Sequence, residues 1–102
     1  MHAMIGRLRA QSGSRDELAR RLVKDVADMP GCLTYLVTPD PDDPEAIWIA
    51  EAWITSDAHR DWLASDHVRA LVESLAPLMV GYDIRIEGAP SGGHARGIAL
   101  GQ

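Results

Sequence analysis

The segment "IWIAEAWITSDAHRDWLASDH", residues 47–67, concentrates the side chains of this chain that could do chemistry. It holds all three tryptophans, two of the four histidines and one glutamate, in a chain of 102 residues without phenylalanine. If residues 46–54 form a strand, Glu51 and Trp53 lie on one face and Trp48 lies on the other, because side chains alternate along a strand. Both faces are otherwise apolar, so each must be covered by other parts of the protein. The carboxylate on one of these faces requires a structural or functional explanation.

Three side chains of this segment could accept a proton. An imidazole has an unperturbed pKa of about 6.5 and suits a general base at neutral pH, and His59 and His67 are the two histidines away from the chain ends. Glu51 is the third candidate, because a carboxylate on an apolar strand either faces a polar pocket or pairs with an arginine or a backbone donor. Each also has a structural interpretation: a histidine near a helix start is commonly a cap or surface residue, and Glu51 could be only a buried pairing partner.

Aromatic residues could form the walls of a binding site. Trp53 and Trp62 offer flat faces to an aromatic ligand and an indole N–H as a donor. Tyr35 and Arg7 are candidates for orienting or stabilising an anionic oxygen if they face the same pocket. Tryptophans also belong commonly to cores and interfaces, and Trp48 is predicted at a subunit interface.

A metal site is the rival interpretation of the same residues. His59, His67, Glu51 and Asp66 carry suitable ligand atoms. Zinc motifs on helices place histidines four residues apart, whereas these two are eight apart across a predicted helix break. The sequence therefore predicts no metal site.

Composition excludes several classes of function. The formal net charge is −5, which disfavours nucleic acid as a partner because phosphate binding needs a clustered basic surface. The single cysteine, Cys32, excludes an internal disulfide and a thiolate zinc site. No stretch approaches the roughly 18 apolar residues of a membrane span, and the first residues lack a signal-peptide core. These features predict one domain in the cytoplasm, away from membranes.

Hydrophobic periodicity predicts four strands and two helical regions. Alternation or short apolar runs predict strands at residues 4–10, 32–38, 46–54 and 82–87. Ser14 and Glu17 fit a capping box that opens the first helix. Its apolar stripe is formed by Leu18, Leu22, Val26 and Met29, and Pro30–Gly31 ends it.

The second helical region follows the third strand. Ser56 is predicted to cap a short helix that runs to about Ala64, and Ser65 or Asp66 to cap a longer one that ends at Gly81. The acidic, proline-rich residues 39–45 most simply join the second and third strands as an antiparallel hairpin. Residues 89–102 have a linker composition, in which Ile98 to Leu100 is predicted to pack on its own domain or on a partner.

The order β-α-β-β-α-β is that of the ferredoxin-like split fold, an α+β domain over residues 1–88 followed by a Gly-rich tail, 89–102. Its four-stranded antiparallel sheet carries helices on one face only. Because the third strand is apolar on both faces, the open face also needs a cover. A second copy, giving a homodimer, is the predicted cover; curling of the sheet with the tail is the alternative.

The chain resembles the antibiotic biosynthesis monooxygenase (ABM) family of the dimeric α/β-barrel superfamily over about residues 3–88. The resemblance rests on the Pro-Gly-Cys-Leu turn at 30–33, on Glu51-x-Trp53 and on Ser65-x-His67, in this order and spacing. It implies a homodimer with a pocket between sheet and helices in each subunit. It also implies oxidation of a small quinol or polyketide-type phenol by O2 without a flavin, haem or metal cofactor. Such chemistry needs an apolar pocket, a base that deprotonates the phenol, and dipoles that hold the anion.

Two departures leave alternatives open. Quinol-oxidising members commonly carry a histidine where this chain has Trp62. The "WLASD" sequence at 62–66 is similar to the haem-degrading branch, but that branch has its haem-ligating histidine where this chain has Val72, and valine cannot bind iron. The alternatives are a non-catalytic homodimer that binds a small ligand and, less favoured, a haem-degrading relative.

Overall fold

The computed structural model describes residues 1–25, 29–95 and 98–100. In chain order the elements are β1 (His2–Ala10), α1 (Arg15–Asp25), β2 (Cys32–Pro39), β3 (Ala46–Trp53), α2 (Ser56–Leu63), α3 (Asp66–Leu75), a 3₁₀ turn (Ala76–Leu78), β4 (Met79–Gly88), β5 (Gly93–Ala95) and β6 (Ile98–Leu100). No helix among the described residues is long and apolar enough to cross a membrane.

The main sheet has the strand order β2-β3-β1-β4, and every neighbouring pair is antiparallel. This arrangement confirms the predicted α+β ferredoxin-like fold. The core lies between one face of the sheet and helices α1 and α3. Its buried side chains include Met4 and Leu8 of β1, Ile47 and Ile49 of β3, Leu18 and Leu22 of α1, and Leu71 and Leu75 of α3. The burial of Leu18 and Leu22 confirms the first half of the predicted stripe of the first helix.

Strand register divides the sheet into an inner face, towards the helices, and an outer face. On the inner face one row crosses all four strands through Tyr35, Glu51, Met4 and Glu87. On the outer face the adjacent row is Leu36, Ala50, Ile5 and Ile86. The predicted alternation along β3 is confirmed: its inner residues are buried, whereas Trp48, on the outer face, is only partly buried.

Two helix ends and the start of one strand differ from the sequence prediction. Helix α2 is capped by Thr55, whose side chain accepts from the N–H of Ala58, rather than by Ser56. Helix α3 is capped by Ser65, one of the two predicted caps, but it ends at Leu75 instead of continuing towards Gly81. Pro77 is the physical reason, because proline lacks the N–H that would continue the α-helical ladder. The chain then makes a 3₁₀ turn and enters β4 at Met79, three residues earlier than predicted.

Two predicted features lie at the edges of the described residues. Val26 of the predicted stripe lies outside the described residues. Met29, which is described, is not helical. In the segment predicted as a linker, β5 and β6 form a separate two-stranded antiparallel sheet in which Ala95 pairs with Ile98. The packing of residues 98–100 on the domain or on a partner stays a prediction.

Candidate active site

A cavity of about 290 Å³ lies between the inner face of the sheet and helices α1, α2 and α3. Most of its wall is aliphatic, from residues such as Leu8, Leu71 and Leu75. The residues with polar groups in its lining are Tyr35, Glu51, Trp62, Tyr82 and Arg85. An apolar chamber with a few convergent polar groups is the usual form of a small-molecule site.

Glu51 is the one carboxylate in this lining, at the centre of β3, and only 7% of its surface is exposed. The indole N–H of Trp53 donates to its Oε1 at 2.9 Å. Burial raises the pKa of the Glu51 carboxyl, and the hydrogen bond from Trp53 opposes that rise. The sequence predicted pairing with an arginine or a backbone donor, or a polar pocket; the hydrogen-bond donor is instead the indole of Trp53, and the cavity that Glu51 lines is mostly apolar.

His59 stands behind Glu51 rather than in the cavity wall. It is 3% exposed, on helix α2. Its Nε2 lies 3.6 Å from Oε1 of Glu51, and its Nδ1 lies 3.4 Å from Oε1 of Glu87. Burial lowers the pKa of the imidazole, against the charge of Glu87, which raises it. His59 therefore contacts a buried carboxylate on one side and a solvent-facing one on the other.

Trp62 has the one side-chain polar atom among the described residues that is buried and without a hydrogen-bond partner, its indole Nε1. Buried N–H groups are almost always paired. Because the side chain lines the cavity, a ligand oxygen would supply the missing acceptor. The Trp62 ring makes a tilted contact with that of Trp53, with centroids 5.5 Å apart. Trp53 itself is fully buried outside the cavity lining, so it supports Glu51 and does not form the predicted wall.

Two phenols complete the polar lining. Burial raises the pKa of Tyr82 to about 12 and raises that of Tyr35 further, so both hydroxyls are protonated donors at neutral pH. The guanidinium of Arg85 lies over the ring of Tyr82, 5.5 Å from its centroid. The Tyr82 ring lies so close above Gly6 that a Cβ there would come within 2.8 Å of it.

Besides Trp53 and His59, two more residues predicted for the pocket, Arg7 and His67, lie outside its lining. Arg7 is on the outer face, where it binds both carboxylate oxygens of Asp83 at 2.9 and 2.8 Å and lies over the ring of Trp48. The prediction that Arg7 faces the pocket is wrong, because Met4 and Leu8 point inward and alternation then directs residue 7 outward.

His67 is exposed and lines an open groove of about 830 Å³ with Pro30, Gly31 and Ile54. Trp62 lines both this groove and the cavity. The buried positions of α3 are Val68, Leu71 and Leu75, and one residue earlier is a rotation of roughly 100° around the helix. The cavity lining does not include His67.

Sequence reasoning missed His2 and Glu87. Nε2 of His2 and Oε1 of Glu87 lie 3.0 Å apart, although the residues are 85 positions apart. One ligand atom from each, with one from His59, lie within 4.8 Å of one another, a spacing that could hold a metal ion. His2 is two residues from the inward-facing Met4, so alternation could have placed it on the inner face. Which residue of β4 lies beside it depends on the register of β1 against β4, which the sequence does not give.

The fold and the cavity between sheet and helices define a ferredoxin-like α+β protein with a candidate small-molecule pocket. The chain belongs to the antibiotic biosynthesis monooxygenase (ABM) family, which matches residues 1–74. The family predicted from the sequence is thus confirmed.

Solved structures give the same fold. A protein of Chloroflexus aurantiacus J-10-fl, named as a candidate antibiotic biosynthesis monooxygenase, is 40% identical over 92% of this chain and 96% of its own, with a TM-score of 0.85. A candidate of the same name from Deinococcus radiodurans is 23% identical over 88% of this chain and 92% of its own, with a TM-score of 0.72. The second likeness carries the fold alone. No functionally curated protein matches the chain.

Proposed function

We propose that the protein is a cofactor-independent monooxygenase that oxidises a small quinol or polyketide-type phenol with O2 in the cavity between sheet and helices. One observation carries the proposal: a buried carboxylate, Glu51, and an unpartnered indole N–H, that of Trp62, belong to residues that line the same apolar chamber. Family membership supports the reaction class.

The first step is proton transfer from the substrate hydroxyl to Glu51. A phenol reacts slowly with O2, whereas its phenolate is a good electron donor. The apolar wall excludes water, which strengthens the interaction of the anion with fixed dipoles. The indole N–H of Trp62 and the hydroxyls of Tyr35 and Tyr82 are the available donors, and Arg85 supplies a positive charge.

The overall reaction then balances without an external reductant. O2 adds to the ring carbon para to the phenolate oxygen and forms a hydroperoxide. The proton that Glu51 took from the substrate converts the peroxide into this hydroperoxide. The carboxylate then takes the C–H proton from the same carbon, the O–O bond breaks to leave a quinone, and the departing hydroxide takes that proton and leaves as water. One oxygen atom of O2 enters the product and the other leaves as water, and the substrate supplies all four electrons. In a hydroquinone the para carbon already carries a hydroxyl, so O2 adds at a ring C–H ortho to the phenolate oxygen. Loss of that C–H proton and of water gives an ortho-quinone, which tautomerises to the hydroxyquinone.

Cavity size supports a small substrate. At about 290 Å³ it lies at the lower end of the range of ligand pockets, which starts at roughly 300 Å³. The position that holds the haem ligand in the haem-degrading branch is Val72, which lines the cavity, and no histidine is among the described lining residues. This lining favours a phenol over haem.

We further propose that the protein is a homodimer in which the outer faces of two sheets pack together. In the central outer row Ile5, Leu36 and Ile86 are 45%, 58% and 63% exposed. A contiguous apolar patch on a sheet marks an interaction surface, and a two-fold axis needs only one self-complementary patch. Trp48 lies on the same face, where its N–H donates to Asp40. A cytoplasmic location stays a prediction from the sequence.

The test is oxygen consumption with simple hydroquinones under ¹⁸O2, against the rate of autoxidation. We expect one labelled oxygen atom in a hydroxyquinone product, water as the second product, and turnover that persists with a chelator. Glu51→Gln keeps an acceptor for Trp53 but cannot take the proton, so turnover should fall at least about 100-fold, within the range of lost general bases. Glu45→Gln, the same change at an exposed glutamate, is the matched control.

Other outcomes separate the alternatives. Unchanged turnover in Glu51→Gln would refute the role of this carboxylate. Saturable binding of phenols without oxygen consumption would instead identify a ligand-binding dimer. A Soret shift with hemin, followed by bleaching with a reductant, would identify a haem-degrading protein.

A further inference from the structure

We propose that His2, His59 and Glu87 form a binding site for one divalent transition-metal ion of the Zn²⁺ type. The three residues come from the start of β1, from α2 and from the end of β4. Oε1 of Glu87 lies 3.0 Å from Nε2 of His2 and 3.4 Å from Nδ1 of His59. Among the described residues this is the one group that brings three such ligand atoms within 4.8 Å of one another.

Two of the three separations are close to those of a tetrahedral site, and the third pair of ligand atoms lies within 4.8 Å. Nitrogen and carboxylate oxygen ligands lie about 2.0–2.1 Å from Zn²⁺, so two ligand atoms of a tetrahedron are about 3.3 Å apart. The two measured contacts of Glu87 fall on either side of that value. The set of two imidazoles and one carboxylate suits Zn²⁺ and its neighbours in the first transition row, whereas Mg²⁺ prefers a set of oxygen ligands.

The surroundings of the trio are those of a metal site. A metal-bound histidine commonly donates its second ring N–H to a carboxylate, which fixes the tautomer and the ring orientation. The second ring nitrogen of His59, Nε2, lies 3.6 Å from Glu51. Arg85 holds the other oxygen of Glu87, Oε2, at 3.1 Å and leaves Oε1 towards the histidines. Every ligand therefore has an orienting contact or a fixed backbone position.

The three residues are accessible from solvent and are separate from the lining of the cavity. The side chain of His59 is 4% exposed, while those of His2 and Glu87 are 15% and 37% exposed, so an ion can enter from solvent. Three protein ligands leave a fourth tetrahedral position for water. None of the three residues lines the cavity. The metal site therefore goes beyond the proposed oxidation and stands or falls separately from it.

The experiment is Zn²⁺ titration by calorimetry on untagged protein that has been treated with a chelator and dialysed, without any substrate. We expect one Zn²⁺ per chain and no saturable heat with Mg²⁺. Glu87→Gln and His2→Ala should each weaken Zn²⁺ binding about 100-fold, and Glu51→Gln, which removes only the orienting carboxylate, about 10-fold. His94→Ala, at an exposed histidine of the tail, should bind as the parent protein does.

A second measurement reports geometry. Co²⁺ in a four-coordinate site of this kind gives intense visible absorption, which Zn²⁺ should displace and which Glu87→Gln should abolish. Circular dichroism of each variant shows whether it is folded. The proposal is overturned if the parent protein gives no saturable Zn²⁺ heat, or if the folded His2→Ala/Glu87→Gln double variant binds Zn²⁺ as tightly as the parent. In either case the trio is only a hydrogen-bonded cluster.

Discussion

Replacing Trp62 by phenylalanine tests whether the cavity awaits a hydrogen-bonding ligand. Trp62 and Trp53 make a useful pair, because their rings touch and their indole N–H groups differ in pairing, although Trp53 is fully buried and Trp62 only partly. The N–H of Trp53 donates to Glu51, whereas the buried N–H of Trp62 has no partner among the described residues. Trp→Phe removes an N–H and part of a ring at both positions, so the difference between the two variants reports the value of the N–H.

Removing the N–H group should change the free energy of unfolding in opposite directions at the two positions. The smaller ring loses about 1.5 kcal/mol of apolar burial at either site. At Trp53 the variant also loses a hydrogen bond to a charged group, about 1.5–3 kcal/mol. At Trp62 it relieves a buried unpaired donor, which costs about 1–3 kcal/mol in the parent protein. Trp53→Phe should therefore cost about 3 kcal/mol or more, whereas Trp62→Phe should change the free energy of unfolding by less than about 1.5 kcal/mol in either direction.

Urea unfolding followed by circular dichroism measures both values. In parallel, the affinity for phenols should fall about 2- to 10-fold in Trp62→Phe, the equivalent of one neutral hydrogen bond. Benzene-type ligands without a hydroxyl should bind equally to both proteins. If Trp62→Phe is as destabilising as Trp53→Phe, or if it leaves phenol affinity unchanged, the inference from the orphan N–H is refuted.

Two further predictions concern the outer face of the sheet. Ile5→Lys should convert a dimer into a folded monomer in light scattering, because it places a charge in the apolar row. Val23→Lys, on the exposed side of helix α1, should remain a dimer. A parent protein that is monomeric at micromolar concentration would contradict the interface. Arg7 holds the pKa of Asp83 below its ordinary value of 3.8, so this ion pair stabilises the fold above the unfolded-state pKa and is lost as the pH falls through the folded-state pKa. Asp83→Asn should therefore be less stable than the parent at pH 7, with the gap closing in urea titrations as the pH falls below the ordinary carboxyl pKa of 3.8, and a gap independent of pH would refute the assignment.

Local patterns were sufficient for most of the fold. The alternation of β3, the stripe of Leu18 and Leu22, and the cap at Ser65 act over a few residues, and the structure follows each of them. The end of α3 was predicted too late because the apolar spacing continues past Leu75, while Pro77 removes the N–H that the next turn needs. Hydrophobic periodicity alone does not take into account the single N–H that Pro77 lacks.

The candidate site was predicted only in part. Glu51 and Trp62 reach the cavity because alternation and helical spacing determine which way they point. Arg7 was assigned against its own parity, and His67 lies one position from the buried stripe of α3, so neither reaches the cavity lining. His59 was a candidate base, but its position behind Glu51 was not foreseeable, since it depends on how α2 packs on the sheet.

The sequence by itself determined the order of the elements, the two faces of each strand and the family, because these depend on neighbours along the chain. The tertiary structure decided which side chains meet. His2 and Glu87 are 85 residues apart, and only the register of β1 against β4 brings their atoms to 3.0 Å. That register follows from the packing of the whole inner face against the helices, in which a shift by one residue would turn every buried side chain outward.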